Sequence, residues 1–269
     1  YHPLRHEWRD PFRGAVDLSD GRIRAVGDAA TRFREDYLRV LRAIRFAARF
    51  GFAIVPETWV AMVEAAPGLR QLSMERVRDE WFKGLGTART VSGLVELWHA
   101  SGASAEVLPE LLHETPREPA LSTAPRDPVL LTAILTREPA VVLRRLRASN
   151  AEVARASAIV AGPDAPEAGD VPSVRRWLAR VSDAADDLLR RHELRTGAVA
   201  PWAEAVAGIR QRGEPLKREQ LALRGGDLLE LGLQGPDVGR VLDRLLGRVL
   251  EDPSLNTRDT LLALARETR

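Results

Sequence analysis

Cysteine is absent from all 269 residues of the chain. That excludes a disulfide framework, a thiol nucleophile and any Cys-based metal site, and it fits a reducing, cytoplasmic setting. Lysine is nearly absent too, occurring only at Lys83 and Lys217. Histidine is sparse and scattered: His2, His6, His99, His113 and His192 never fall at metal-ligand spacing, and no His-Asp pair is adjacent. A metal site is therefore not expected on this chain. No apolar run approaches the roughly 20 residues of a membrane span. No Gly-rich phosphate loop with its lysine occurs, and Gly84-Leu85-Gly86 follows a helical stretch rather than a strand, so it is no dinucleotide fingerprint. Asp17 with Asp20, and Asp186 with Asp187, read as caps or solvated charges. No nucleophilic triad can be assembled.

What remains is rich in arginine, alanine and helical pattern. Apolar residues make up 45% of the chain, enough for real cores. The formal net charge is only +2, but it is uneven: residues 1–50 hold 11 Arg against 7 acids. Arginine suits bidentate contacts to phosphates and base edges. Composition thus permits a nucleic-acid partner without demanding one.

Residues 1–31 read differently from the rest. Pro3, Pro11, Gly14, Gly21 and Gly27 punctuate short β-like pieces at Ala15-Val16 and Arg22–Val26. From Arg32 onward the pattern is helical almost throughout, which argues an elongated, mainly all-α assembly. The segment Arg32–Arg49 contains no Gly or Pro and predicts one continuous helix. On a helical wheel Tyr37, Val40, Leu41, Ile44, Ala47 and Ala48 form its packing face, and Arg39, Arg42, Arg45 and Arg49 form another. Val77, Trp81 and Leu85 make a core stripe behind a Ser73 N-cap. Asp127-Pro128 has the cap-then-Pro order of a helix start. The stretches 113–127 and 162–172 read as loops, and Val174 to Leu188 as one amphipathic helix. A further stripe runs from Val238 to Val249.

Asp36 and Arg39, one turn apart on the expected helix, put an acceptor beside a fork of donors. Cytosine and adenine each show an exocyclic NH2 next to a ring-nitrogen acceptor. A carboxylate can accept from the first while a guanidinium donates to the second. Uracil and guanine present the reverse, so both contacts would be mismatched, and buried mismatches are costly. Two residues alone are equally compatible with an ordinary i,i+3 salt bridge.

The context is more specific. Asp10-Pro11-Phe12-x-Gly14-x-x-Asp17-Leu18, Ile23-Arg24-x-Val26-Gly27-Asp28, and Arg32-Phe33-x-Glu35-Asp36-x-Leu38-Arg39-x-Leu41-Arg42-Ala43-x-Arg45-Phe46-Ala47 together resemble the class II tRNA nucleotidyltransferase and bacterial poly(A) polymerase family. Ser73-x-Glu75-Arg76-x-x-x-Glu80, Leu108-Pro109-Glu110-Leu111, Gly225-x-Asp227-Leu228 and Gly235-Pro236-x-Val238-Gly239 extend the resemblance to both ends, with 112–200 its weakest part. The resemblance implies a C-terminal remnant of an α+β nucleotidyltransferase head at 1–31, a nucleotide-selecting neck at 32–112, a helical body at 113–200 and a tRNA-binding tail at 201–269. It implies that Asp36 and Arg39 read CTP and ATP, that Arg42 and Arg45 lie close to the nucleotide, and that body and tail hold the acceptor stem and elbow of tRNA. It implies CCA addition, with poly(A) polymerase or a non-catalytic tRNA-binding fragment as the alternatives. The family's Mg2+-binding carboxylates precede the first residue of this chain, so the 269 residues alone are expected to transfer no nucleotide.

Overall fold

A computed structural model describes residues 4, 6, 10–113, 121 and 126–267, which form two compact units. The first comprises residues 1–160 with 194–197, the second 161–193 with 198–269.

The first unit begins with α1 (Gly14–Ser19) and the short strand β1 (Arg22–Ile23). Ala15-Val16 is thus helical rather than β-like. The reason is local: the Asp10 carboxylate accepts from the backbone N–H groups of Gly14 and Ala15, at 2.8 and 2.9 Å, and so starts a helix there. Strand character in Arg22–Val26 is confined to β1, which pairs in parallel with β2 (Ala53–Ile54), Arg22 opposite Ala53 and Ile23 opposite Ile54.

The expected continuous helix Arg32–Arg49 is two helices. α2 (Ala29–Glu35) ends at Asp36, whose backbone is extended (φ −157°, ψ 104°), and α3 (Leu38–Phe50) begins after Tyr37. No Gly or Pro marks this break. It is set by tertiary contacts: the Tyr37 ring lies where a Cβ on Gly68 would be, so only a glycine there lets the ring sit down. The packing face of α3 is as expected, with Val40, Leu41, Ile44, Ala47 and Ala48 all buried.

α4 (Pro56–Ala65), α5 (Met74–Thr87), α6 (Val91–Ala100) and α7 (Ala103–Val107) complete a helical cluster around α3. Ser73 precedes α5 but makes no side-chain cap bond. Most of the stretch 113–127 lies outside the described residues. Asp127 caps α8 (Pro128–Leu135) as its sequence order predicts, its Oδ1 accepting from Val129 and Leu130 N–H at 3.0 Å. α9 (Pro139–Arg145) and α10 (Asn150–Ala161) follow.

Trp81 and Trp98 meet edge to face at the centre of this core, with ring centroids 5.0 Å apart. The buried Trp81 indole N–H donates to the Thr132 hydroxyl oxygen (3.0 Å), and that hydroxyl donates to the Pro128 carbonyl (2.6 Å). Thr132→Val keeps the shape and strands the indole N–H, so it is expected to cost about 1–3 kcal/mol. The check is a lower urea midpoint at unchanged slope; an unmoved midpoint would count against the bond.

In the second unit Asp170 caps α11 (Val171–Val181) through Ser173 N–H at 2.7 Å. The expected single helix through Leu188 is interrupted at Ser182–Ala184, where Ser182 takes φ 49°, before α12 (Ala185–Thr196), whose residues from Leu194 on belong to the first unit. α13 (Ala203–Gln211), α14 (Gly225–Glu230), α15 (Pro236–Glu251) and α16 (Arg258–Glu267) follow. Leu228, Val241, Leu245, Val249 and Leu261 form a core among the last three. The buried Arg175 pairs with Glu214 and donates to the carbonyls of Leu250 and Glu251, which ties α11 to the end of α15. Among the described residues no helix is long and apolar enough to cross a membrane.

Candidate nucleotide-reading site

The break between α2 and α3 brings five charged side chains together, those of Arg32, Glu35, Asp36, Arg39 and Arg76. Asp36, at the break, accepts from Leu38 N–H on Oδ1 at 3.1 Å, which caps the start of α3. Arg76, on α5, donates from one nitrogen to both Asp36 oxygens, at 3.1 and 2.9 Å. Arg39, in the first turn of α3, donates from Nη1 to the Arg32 carbonyl (2.7 Å) and to Glu35 Oε2 (2.6 Å). Glu35 Oε2 also accepts from Arg32 (2.6 Å).

Asp36 and Arg39 are neighbours but not partners: each is held by something else. An ordinary i,i+3 salt bridge between them is therefore not what the structure contains. Nor do they share one helix, since Asp36 lies outside both. Three bonds reach the Asp36 carboxylate, two on Oδ1 and one on Oδ2, so Oδ2 retains capacity for a further donor. Arg39 has spent only Nη1, leaving Nη2 and Nε.

The charge states suit an acceptor beside a donor. Burial pushes the Asp36 pKa up, but the Leu38 N–H, the Arg76 hydrogen bond and the charges of Arg76 and Arg39 outweigh it. The carboxyl is held below its ordinary value. Glu35 is lowered as well, first by its hydrogen bond from Arg39.

The other two expected residues sit differently. Arg42 is exposed, its guanidinium 6.0 Å from the centroid of the Phe46 ring. Arg45 is only 11% exposed and donates to the buried Glu80 carboxylate on α5 at 2.6 Å, while its guanidinium covers Phe46 at 4.2 Å. The sequence motif that contains Arg76 and Glu80 assigns a role to neither. Their spacing of four on α5 was the available signal, since it turns both toward α3.

A cavity of about 720 Å³ opens beside Phe46, Phe50 and Phe52, lined also by Phe12, Leu18 and Val26, and neither Asp36 nor Arg39 lines it. Asp17, which lies on its wall, is ion-paired with Arg24 at 2.9 Å. Among the described residues no group of three or more His, Asp or Glu side chains could hold a metal ion.

Comparison with known proteins agrees with this architecture. Residues 51–114 match a family model described as "Probable RNA and SrmB- binding site of polymerase A". The CCA-adding enzyme of Leuconostoc mesenteroides is 30% identical over 98% of this chain, which spans 68% of that protein. That of Geobacillus stearothermophilus is 32% identical over 96% of the chain, which spans 66% of it. The crystal structure of the Bacillus stearothermophilus CCA-adding enzyme in complex with CTP superimposes with a TM-score of 0.80 at 30% identity, covering 97% of this chain and 68% of that one. A Thermotoga maritima CCA-adding enzyme complexed with tRNA shares the fold, with a TM-score of 0.62 at 16% identity. The chain thus spans about two thirds of the length of the relatives it matches. A mainly helical chain, matched along nearly its whole length at this identity and superposition, belongs to the family of CCA-adding enzymes, the tRNA nucleotidyltransferases.

Proposed function

We propose that this chain is the base-selecting and tRNA-holding portion of an enzyme that adds C and A to the 3′ end of tRNA. The observation that carries the proposal is the pair at the α2–α3 break: a carboxylate with an open oxygen next to a guanidinium with open nitrogens, each oriented by another residue. Asp36 Oδ2 accepts from the exocyclic NH2 of cytosine or adenine, and Arg39 donates to the adjacent ring nitrogen. With uracil or guanine, Asp36 meets a carbonyl and Arg39 meets a ring N–H. Two buried mismatches of that kind reject a base far more strongly than a difference in size does.

In the same proposal Arg42, exposed and without a carboxylate within ion-pair distance among the described residues, reaches sugar or phosphate. Arg45 acts from its ion pair with Glu80, fixing Phe46 and the α3 face. Residues 32–112 serve as neck, 113–200 as body and 201–269 as tail, the last two holding tRNA mainly through backbone and shape. Mg2+ belongs to the complete reaction, with ligands outside the described residues, and the setting is cytoplasmic. Poly(A) polymerase is the second reading, because the family model over residues 51–114 carries a polymerase A description.

The test is competitive nucleotide binding to the chain in the presence of tRNA lacking its CCA end. CTP and ATP should each bind more tightly than UTP and GTP. Equal affinity for all four would remove the base-reading assignment, and preference for ATP alone would favour the polymerase reading.

A further inference from the structure

We propose that Arg76 is a positioning residue of the base reader: its grip on both oxygens of Asp36 keeps that side chain an acceptor only, and so prevents uracil and guanine from being read as cytosine and adenine. The inference rests on Asp36 reading the base.

The argument begins with what a protonated Asp36 would do. A carboxylate can only accept, whereas a carboxylic acid also carries an O–H donor. That donor fits the carbonyl of uracil or guanine, the group the ionised form repels. Selection at this position is therefore a matter of charge state as well as shape. Asp36 is half-buried, and a base lying over it removes more water, which favours the neutral acid.

The surroundings counter this. The charged groups facing Asp36 are Arg76 from α5, Arg39 from the first turn of α3, and Arg32 and Glu35 from the end of α2. Glu35 is neutralised by Arg32 and Arg39. Arg39 is the group a base would engage. Of these cations only Arg76 hydrogen-bonds to the carboxylate, reaching it from 40 residues away in sequence. Its removal leaves burial opposed only by the Leu38 N–H and the charge of Arg39.

The experiment follows competition of CTP against UTP on the full chain from about pH 8 to about pH 5, together with the 13C carboxyl shift of Asp36. It compares wild type, Arg76→Gln, Arg76→Lys and Asp36→Asn. Wild type should hold a flat preference for CTP. Arg76→Gln should lose roughly tenfold of it on acidification, with the Asp36 titration moved up, and Arg76→Lys should restore much of the flat profile. Asp36→Asn should show a weakened preference that does not vary with pH.

Two results would overturn the inference while leaving Asp36 as the reader. One is a flat, wild-type ratio and an unmoved Asp36 titration in Arg76→Gln, with Asp36→Asn impaired. The other is a loss in Arg76→Gln that is equal at every pH, which would make Arg76 a structural support only. Full preference in Asp36→Asn would overturn the base-reading itself, and the inference with it.

Discussion

Asp36→Ala is expected to lower the preference for CTP over UTP, and for ATP over GTP, by roughly 100-fold, about 2.7 kcal/mol. Two contributions add. The favoured bases lose a charge-assisted acceptor, worth about 1.5–3 kcal/mol. The disfavoured bases lose the repulsion between their carbonyl and the carboxylate, which helps them bind. A smaller stability cost accompanies the change, about 1 kcal/mol, because Leu38 N–H loses its cap. Asp36→Asn separates the two effects. The amide can still cap α3, yet it can present either oxygen or NH2 to a base, so selection should fall while the fold holds. Measured nucleotide competition that leaves both ratios within twofold of wild type would remove Asp36 from base reading.

Glu80→Ala should be among the most destabilising single changes in the first unit, costing about 3–5 kcal/mol. Its partner Arg45 is 11% exposed and Glu80 only 7%, so the variant strands a charge with little water to take the place of the carboxylate. Lys83 lies 4.0 Å from the other Glu80 oxygen but is itself 59% exposed, so it neither replaces the pair nor suffers much from its loss. Replacing both members, Arg45→Met with Glu80→Leu, should recover most of the stability, because a packed apolar pair of that volume avoids the desolvation of two ions. Urea unfolding of the single and double variants gives the comparison. A single variant within 1 kcal/mol of wild type would mean that Arg45 finds water or another acceptor at little cost. The double variant also tests the hold on Phe46: it should keep the fold while removing the guanidinium that covers that ring.

Much of this was legible in the chain. Residues with a local cause were placed well: the buried face of α3, the Val77–Trp81–Leu85 stripe, and Asp127 before Pro128 as a cap. Where the cause is distant, sequence reasoning failed. The α2–α3 break depends on Tyr37 resting on Gly68 and on Arg76 reaching Asp36, contacts 31 and 40 residues apart. Nothing in the composition of Arg32–Arg49 signals either. Ala15-Val16 failed for the opposite reason, since the nearby Asp10 carboxylate, which caps Gly14 and Ala15, outweighed a weak β preference. The candidate site shows the same division. Its two central residues could be named from their chemistry, and Glu35 lies one turn before Arg39, whereas the hold of Arg76 on Asp36 becomes visible only when the helices are packed.

The extended backbone at Asp36 leaves the acceptor half of the proposed reader outside both helices and its donor half on α3. Arg39 rides in the hydrogen-bonded first turn of α3, and moving it means moving a helix. Asp36 belongs to no helix, so re-aiming its side chain strains the bonds from Leu38 N–H and Arg76 but unwinds no helical turn. A one-ring and a two-ring base put their amino groups at different distances from the sugar. In the proposed reader, an acceptor outside both helices can follow that difference, against the hold of Arg76 and Leu38, without a second site.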